Sequence, residues 1–60
     1  MYLLKVFADI AHDVLIRADT YKTVPEAAYF LGENPSRVYN WINQRTKSEG
    51  ILKFVEFYKI

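Results

Sequence analysis

The chain has 60 residues, of which 52% are hydrophobic and 17% aromatic, with no cysteine and a formal net charge of +1. This length allows one small domain, residues 1–60, and the lack of cysteine excludes a disulfide framework and a zinc–thiolate site. Because the chain has no glycine-rich phosphate loop and no serine beside a plausible base, we expect it not to be an enzyme.

The N-terminal segment fits two structures. Its apolar residues recur with helical spacing, which predicts an amphipathic helix over residues 2–18 and an all-α fold. Alternatively, Leu3–Ala8 and Val14–Ala18 are the strands of a hairpin that turns through Asp9–Asp13. The sequence of this segment leaves both alternatives open.

Charged residues interrupt this segment early. Lys5 and Asp9 break the apolar run before it reaches the length of a signal sequence or a membrane-spanning helix. On a helix, Asp9, His12 and Asp13 would share one face, but three ligands without a fourth make a weak metal site. We therefore interpret the three as a solvated face and predict no metal site. Without a targeting segment or cysteine, we expect a cytoplasmic protein that does not enter a membrane.

A short helix is predicted at about residues 23–31. Thr23 can cap its N-terminus, and Glu26 three residues later can close a capping box. Pro25 lies in the first turn, where its missing N–H costs nothing. Gly32 follows the apolar run and is expected to end the helix in the left-handed conformation.

A second helix is predicted at about residues 35–45. Asn34 is its expected N-cap, and Pro35 suits its first position. Three apolar residues at i, i+3 and i+4 predict its buried stripe, namely Val38, Trp41 and Ile42. Two short helices joined by a tight glycine turn form a helix-turn-helix.

The string EAAYFLGENPSRVYNWI lies within Thr23–Gln44. It resembles the helix-turn-helix of excisionase-like regulators and of the small modular domains associated with homing endonucleases, a pattern common in short phage-encoded DNA-binding proteins. In that family an alanine of the first helix lets the second pack closely, which implies this role for Ala28, and the turn glycine corresponds to Gly32. The residue after that glycine is usually apolar, and here it is Glu33. The resemblance covers about a third of the chain and implies DNA binding.

The C-terminal segment at about residues 50–58 is predicted to be a strand. It is rich in β-branched and aromatic residues after Gly50, although its apolar residues also fit a short helix. A lone strand needs a partner. We therefore expect it to pair with extended N-terminal segments, giving an α+β fold with a small sheet against the helix-turn-helix. If it paired with its own copy instead, the protein would be a dimer through edge strands.

Basic residues are concentrated in the second half of the chain. Residues 1–34 carry three basic and five acidic side chains, whereas residues 35–60 carry five basic and two acidic ones. This distribution is compatible with a phosphate-facing surface in the C-terminal half.

The outward side of the second helix is the candidate DNA-binding site. Arg37, Asn40 and Gln44 are spaced i, i+3 and i+7, so on a continuous helix they would project together. In the major groove, asparagine and glutamine can pair with adenine and arginine with guanine. The residues predicted to read base edges are Arg37, Asn40, Asn43 and Gln44, and those predicted to hold phosphates are Ser36, Tyr39, Arg45 and Lys47.

These observations predict a protein that inserts helix 35–45 into the major groove of double-stranded DNA, with or without sequence specificity. The resemblance implies a phage or mobile-element regulator of transcription or recombination, without a cofactor. Because so short a monomer makes few contacts, we expect a homodimer or a protein partner. The alternative is a small protein-binding module or inhibitor, since the aromatic residues exceed what two short helices can bury.

Overall fold

Three strands form one antiparallel sheet. A computed structural model describes all residues, 1–60, and places β1 at Tyr2–Phe7, β2 at Leu15–Tyr21 and β3 at Val55–Lys59. β1 is the central strand, with β2 on one side and β3 on the other. The α+β fold and the pairing of the C-terminal strand with the N-terminal segment are therefore confirmed. The alternative of an all-α fold with a helix over residues 2–18 is wrong.

The loop of the β1–β2 hairpin explains why the helical spacing was misleading. The Asp9 carboxylate accepts hydrogen bonds from the backbone N–H groups of Asp13 and Val14, each at 3.0 Å, and His12 adopts a left-handed φ of 59°. Aspartate side chains that bond nearby N–H groups in this way favour turns over helices. β1 also pairs with β3, and a prediction from helical periodicity takes no account of such long-range hydrogen bonds.

Two eight-residue helices, α1 at Val24–Leu31 and α2 at Pro35–Ile42, pack on one face of the sheet. Thr23 caps α1, accepting a hydrogen bond from the Glu26 backbone N–H at 3.5 Å. Neither helix has the length and apolar character needed to cross a bilayer.

The core lies between the helices and the sheet in two adjoining clusters. Both use small or branched apolar residues, and half-buried aromatic rings such as those of Trp41 and Phe57 pack against both clusters. Of the predicted buried stripe, Val38 is fully buried, whereas Trp41 and Ile42 are half-buried. The first cluster comprises Leu4, Leu31, Leu52 and Val55, and the second comprises Val24, Ala28 and Val38.

The C-terminal strand is shorter than predicted. Gly50–Phe54 forms a 3₁₀ helix, and the extended segment begins only at Val55. The Leu52 backbone N–H donates to the Glu49 carbonyl at 3.1 Å, and the Leu52 side chain is 1% exposed. Burial of this leucine in the core explains why the segment forms a tight helical turn rather than the first half of a strand.

Candidate nucleic-acid interface on helix α2

The connection between the two helices is a three-residue turn, residues 32–34, whose geometry is fixed at both ends. Gly32 has a φ of 72°, and its N–H donates to the Tyr29 carbonyl at 3.1 Å. The Glu33 N–H donates to the Ala28 carbonyl at 3.0 Å, which completes a Schellman cap. On the other side, Asn34 Oδ1 accepts from the Ser36 N–H at 2.8 Å and caps α2. The turn therefore holds the N-terminus of α2 in one orientation relative to α1.

The side of α2 opposite the buried Val38 carries polar residues. Ser36 and Asn40 are four positions apart and so lie on that side, with Ser36 exposed and Asn40 half-buried. Tyr39 flanks them and is 46% exposed. Three of the eight predicted site residues are thus brought together on one helix surface.

Arg37 is already in contact with its own chain. Its Nη1 lies 3.6 Å from Glu33 Oε2, and its Nη2 donates to the Glu49 carbonyl at 3.5 Å. Both contacts are long, and 44% of the side chain is exposed. Arg37 therefore helps to hold the loop after α2 near the helix, while its guanidinium stays accessible from solvent.

The predicted position of Gln44 is wrong because α2 ends at Ile42 and does not continue to residue 45. Gln44 has a φ of 60°, and its N–H donates to the Trp41 carbonyl at 3.1 Å. The Arg45 N–H donates to the Asn40 carbonyl at 2.8 Å, so this end is also a Schellman cap. Beyond such a cap, Gln44 does not follow the helical spacing that would align it with Arg37.

Asn43 also lies beyond the last helical residue. Its backbone N–H and its side-chain Nδ2 both donate to the Tyr39 carbonyl, each at 3.0 Å. The amide is therefore partly engaged in ending the helix, and its Oδ1 is the atom left for an external donor. Arg45 and Lys47 follow in the exposed loop after α2.

Two features at this end of α2, a hydrogen bond and a groove, were not predicted from the sequence. Trp41 Nε1 donates to Ser48 Oγ at 2.7 Å and fastens the loop to the helix. A groove of ≈ 280 Å³ opens between the C-terminal end of α2 and the sheet, with Tyr2, Tyr39 and Phe57 in its lining. No local pattern signals either feature, because the partners come from separate elements.

His12 belongs to the contact between the hairpin loop and β3, and not to a solvated helix face. Its Nδ1 lies 2.8 Å from Glu56 Oε2, and its Nε2 lies 2.8 Å from the Lys53 carbonyl. Asp9 caps the hairpin loop, whereas Asp13 is exposed. The structure contains no group of three or more histidine, cysteine, aspartate or glutamate side chains placed to hold a metal ion.

The fold and this surface define a small α+β protein in which a capped helix pair packs on a three-stranded sheet. Comparison of the chain with protein-family models, with curated proteins and with solved structures finds no match. The resemblance to excisionase-like and homing-endonuclease-associated domains therefore stays a prediction.

Proposed function

We propose that the chain binds double-stranded DNA through the exposed side of α2 and the basic loop after it. The main support for this proposal is that Ser36 and Asn40 lie on the same side of a helix whose N-terminus is held by a rigid turn. A helix presented in this way fits the major groove, where amide side chains can read base edges.

The loop after α2 supplies the positive charge that phosphate contacts require. Arg45 and Lys47 are both exposed and immediately follow the Schellman cap. Ser36, Tyr39, Arg45 and Lys47 are proposed to hold phosphates, and Arg37, Asn40 and Asn43 to read bases. Gln44 lies beyond the end of α2 and is therefore left out of the proposed base-reading set.

The finer assignment rests on the resemblance of the helix pair. We propose a regulator of transcription or recombination encoded by a phage or mobile element and acting in the cytoplasm. A homodimer would supply the second set of contacts that so small a module needs for useful affinity.

Salt dependence of binding tests this proposal. Fluorescence anisotropy with a mixed-sequence duplex is measured for the wild type, Lys47→Ala and Lys5→Ala over a range of salt. Lys5 is the matched control, because it is adjacent to the buried Leu4 in β1 and its side chain therefore points to the face of the sheet away from the helices. We expect Lys47→Ala to reduce the slope of log affinity against log salt by about 1, and Lys5→Ala to leave it unchanged. Equal slopes for Lys47→Ala and wild type would contradict the proposed surface.

A second candidate function is favoured by exposed aromatic residues on α1. Tyr29 is 89% exposed and Phe30 is 39% exposed, and aromatic residues of this kind anchor protein interfaces. The alternative is therefore a small protein-binding module or inhibitor. Wild-type protein that does not bind duplex DNA even at low salt would favour it.

A further inference from the structure

Strand β2 has an open edge. It pairs only with β1, because the strand order is β2-β1-β3. None of the backbone hydrogen bonds made outside helices and strands uses a residue from Leu15 to Tyr21, and no side chain bonds to the backbone of these residues. The outward N–H and C=O groups of β2 are therefore free to pair with another strand.

Apolar side chains surround this edge. Leu15 is 52% exposed and Ile16 is 63% exposed, and Ile10 and Val14 in the adjoining loop are exposed to a similar degree. On the helix side, the Phe30 ring also lies beside β2 and is partly exposed. Such a concentration of exposed apolar side chains marks an interaction surface.

We propose that a second copy of this chain occupies the edge, with the two β2 strands antiparallel and Ala18 opposite Ala18 of the second copy. In this register Arg17 lies opposite Asp19 of the second copy, and Asp19 lies opposite Arg17 of the second copy. The charge pattern of the strand is therefore self-complementary about Ala18, and opposite charges directly across a ladder are stabilising. The two copies are related by a two-fold axis, the commonest symmetry of homo-oligomers.

Neighbouring registers are disfavoured. Residues directly opposite each other in an antiparallel ladder lie on the same face of the sheet. In a pair of identical strands, each allowed register therefore has one residue directly opposite the same residue of the second copy. The nearest such shifts place Arg17 opposite Arg17 or Asp19 opposite Asp19, and like charges directly opposite are destabilising. The pairing about Ala18 is the register in which both charges meet an opposite charge.

The edge of β3 does not offer the same complementarity. Its acidic residue, Glu56, already bonds to His12 and Tyr58. Its basic residue, Lys59, is three positions from Glu56 and therefore lies on the other face of the strand. Two copies of β3 therefore cannot place these two charges opposite each other with the faces of the sheet preserved.

The Arg17 side chain is held at the edge in the position that this pairing uses. Its Nε lies 2.6 Å from Asp19 Oδ2, and its guanidinium carbon lies 4.6 Å from the centre of the Phe30 ring. Arg17 and Asp19 of one copy are thus already paired, and the proposed register sets the two pairs side by side, so that each charge has an opposite charge both in its own copy and directly across the ladder.

A single cysteine tests the register, since the chain has none of its own. Ala18→Cys places two thiols opposite each other, within reach of a disulfide. Thr20→Cys is the control, because it is also exposed in β2 but the two thiols would be offset by four residues, about 14 Å. Under mild oxidation we expect Ala18→Cys to form the disulfide dimer about tenfold faster than Thr20→Cys. Equal rates would overturn the proposed register.

Charge reversal tests the pairing itself by sedimentation or native mass spectrometry without DNA. We expect the wild type to be a dimer, and Arg17→Asp and Asp19→Arg each to raise the dimer dissociation constant by about tenfold. In a heterodimer of these two variants, an acidic residue lies opposite a basic one at both Arg17–Asp19 pairs. We therefore expect a mixture of the variants to form a heterodimer as tight as the wild-type homodimer. A monomeric wild type, or a mixture that stays monomeric, would overturn the proposal, and neither outcome depends on whether the protein binds DNA.

Discussion

His12 Nδ1 lies 2.8 Å from Glu56 Oε2, so a residue of the β1–β2 loop is joined to one in β3 that is 44 positions away. The other ring nitrogen, Nε2, lies 2.8 Å from the Lys53 carbonyl. A carbonyl and a carboxylate can only accept, so both ring nitrogens must donate, and His12 must be an imidazolium for both bonds to form. The Phe7 ring stacks on the His12 ring with centroids 4.7 Å apart, so protonation of His12 adds a cation–π contribution.

This geometry predicts a stability that depends on pH. The hydrogen bonds to the Lys53 carbonyl and to Glu56 raise the pKa of His12 above its ordinary value of 6.5. The stabilisation is therefore fully present below pH 6.5 and is lost as the pH rises through the raised pKa. Hydrogen bonds from Tyr58 and His12 lower the pKa of Glu56 below its ordinary value of 4.5, so its contribution is present above pH 4.5 and is lost as the pH falls through the lowered pKa.

We therefore expect the Tm of the wild type, measured by circular dichroism, to fall between about pH 5.5 and about pH 8. At the acid end of this range, His12→Gln should have a lower Tm than the wild type. Its Tm should depend little on pH, because His12 is the only histidine in the chain. A wild-type Tm that is constant over this range would show that the contact does not stabilise the fold.

Two neighbouring residues of the 3₁₀ helix should differ sharply in their effect on stability. Leu52 is 1% exposed and Ile51 is 39% exposed. We expect Leu52→Ala to lower the free energy of unfolding by about 3 kcal/mol, because it leaves a cavity in the core, and Ile51→Ala by less than about 1 kcal/mol. Urea denaturation measures both. Equal losses would contradict the placement of Gly50–Phe54.

The end of α2 predicts a stabilising substitution. Gln44 has a φ of 60° at a position that glycine occupies without strain. Gln44→Gly is expected to raise the free energy of unfolding by about 0.5–1 kcal/mol. Asn43→Gly is the matched control, since Asn43 has a φ of −84° and its side chain bonds to the helix end, so glycine there should be destabilising. If Gln44→Gly destabilised the protein as much as Asn43→Gly does, α2 would not end in this cap.

The proposed DNA contacts separate into two kinds. Asn40→Ala should weaken discrimination between base pairs while leaving the salt dependence of affinity unchanged, because an amide reads bases and carries no charge. Selection of bound duplexes from a randomised pool, for wild type and variant, measures the discrimination. An unchanged set of selected sequences would remove Asn40 from the base-reading surface.

The sequence predicted those parts of the fold that local signals control. Gly32 and the pair Asn34-Pro35 act within a few residues of themselves, so the turn between the helices and the start of α2 follow from them directly. The end of α2 could not be predicted in this way, because Gln44 occupies a left-handed position where a glycine usually marks the end of a helix.

Long-range contacts account for the other differences. Leu52 forms part of a helical turn because the core has room for it there, and this depends on residues of β1 and α1. The link from His12 to Glu56 joins two segments that are far apart in the sequence. The placement of Ser36 and Asn40 on helix α2 could therefore be predicted from the sequence, whereas the position of Gln44 could not, because α2 ends before it.

DNA binding through α2 is tested by titrating the protein with mixed-sequence duplex DNA and following the backbone amide shifts at low and near-physiological salt. We predict shifts concentrated between Ser36 and Lys47 that diminish as the salt is raised, with little change in β2. An absence of shifts at low salt would contradict DNA binding, and shifts confined to β2 and α1 would place the interaction on a different surface.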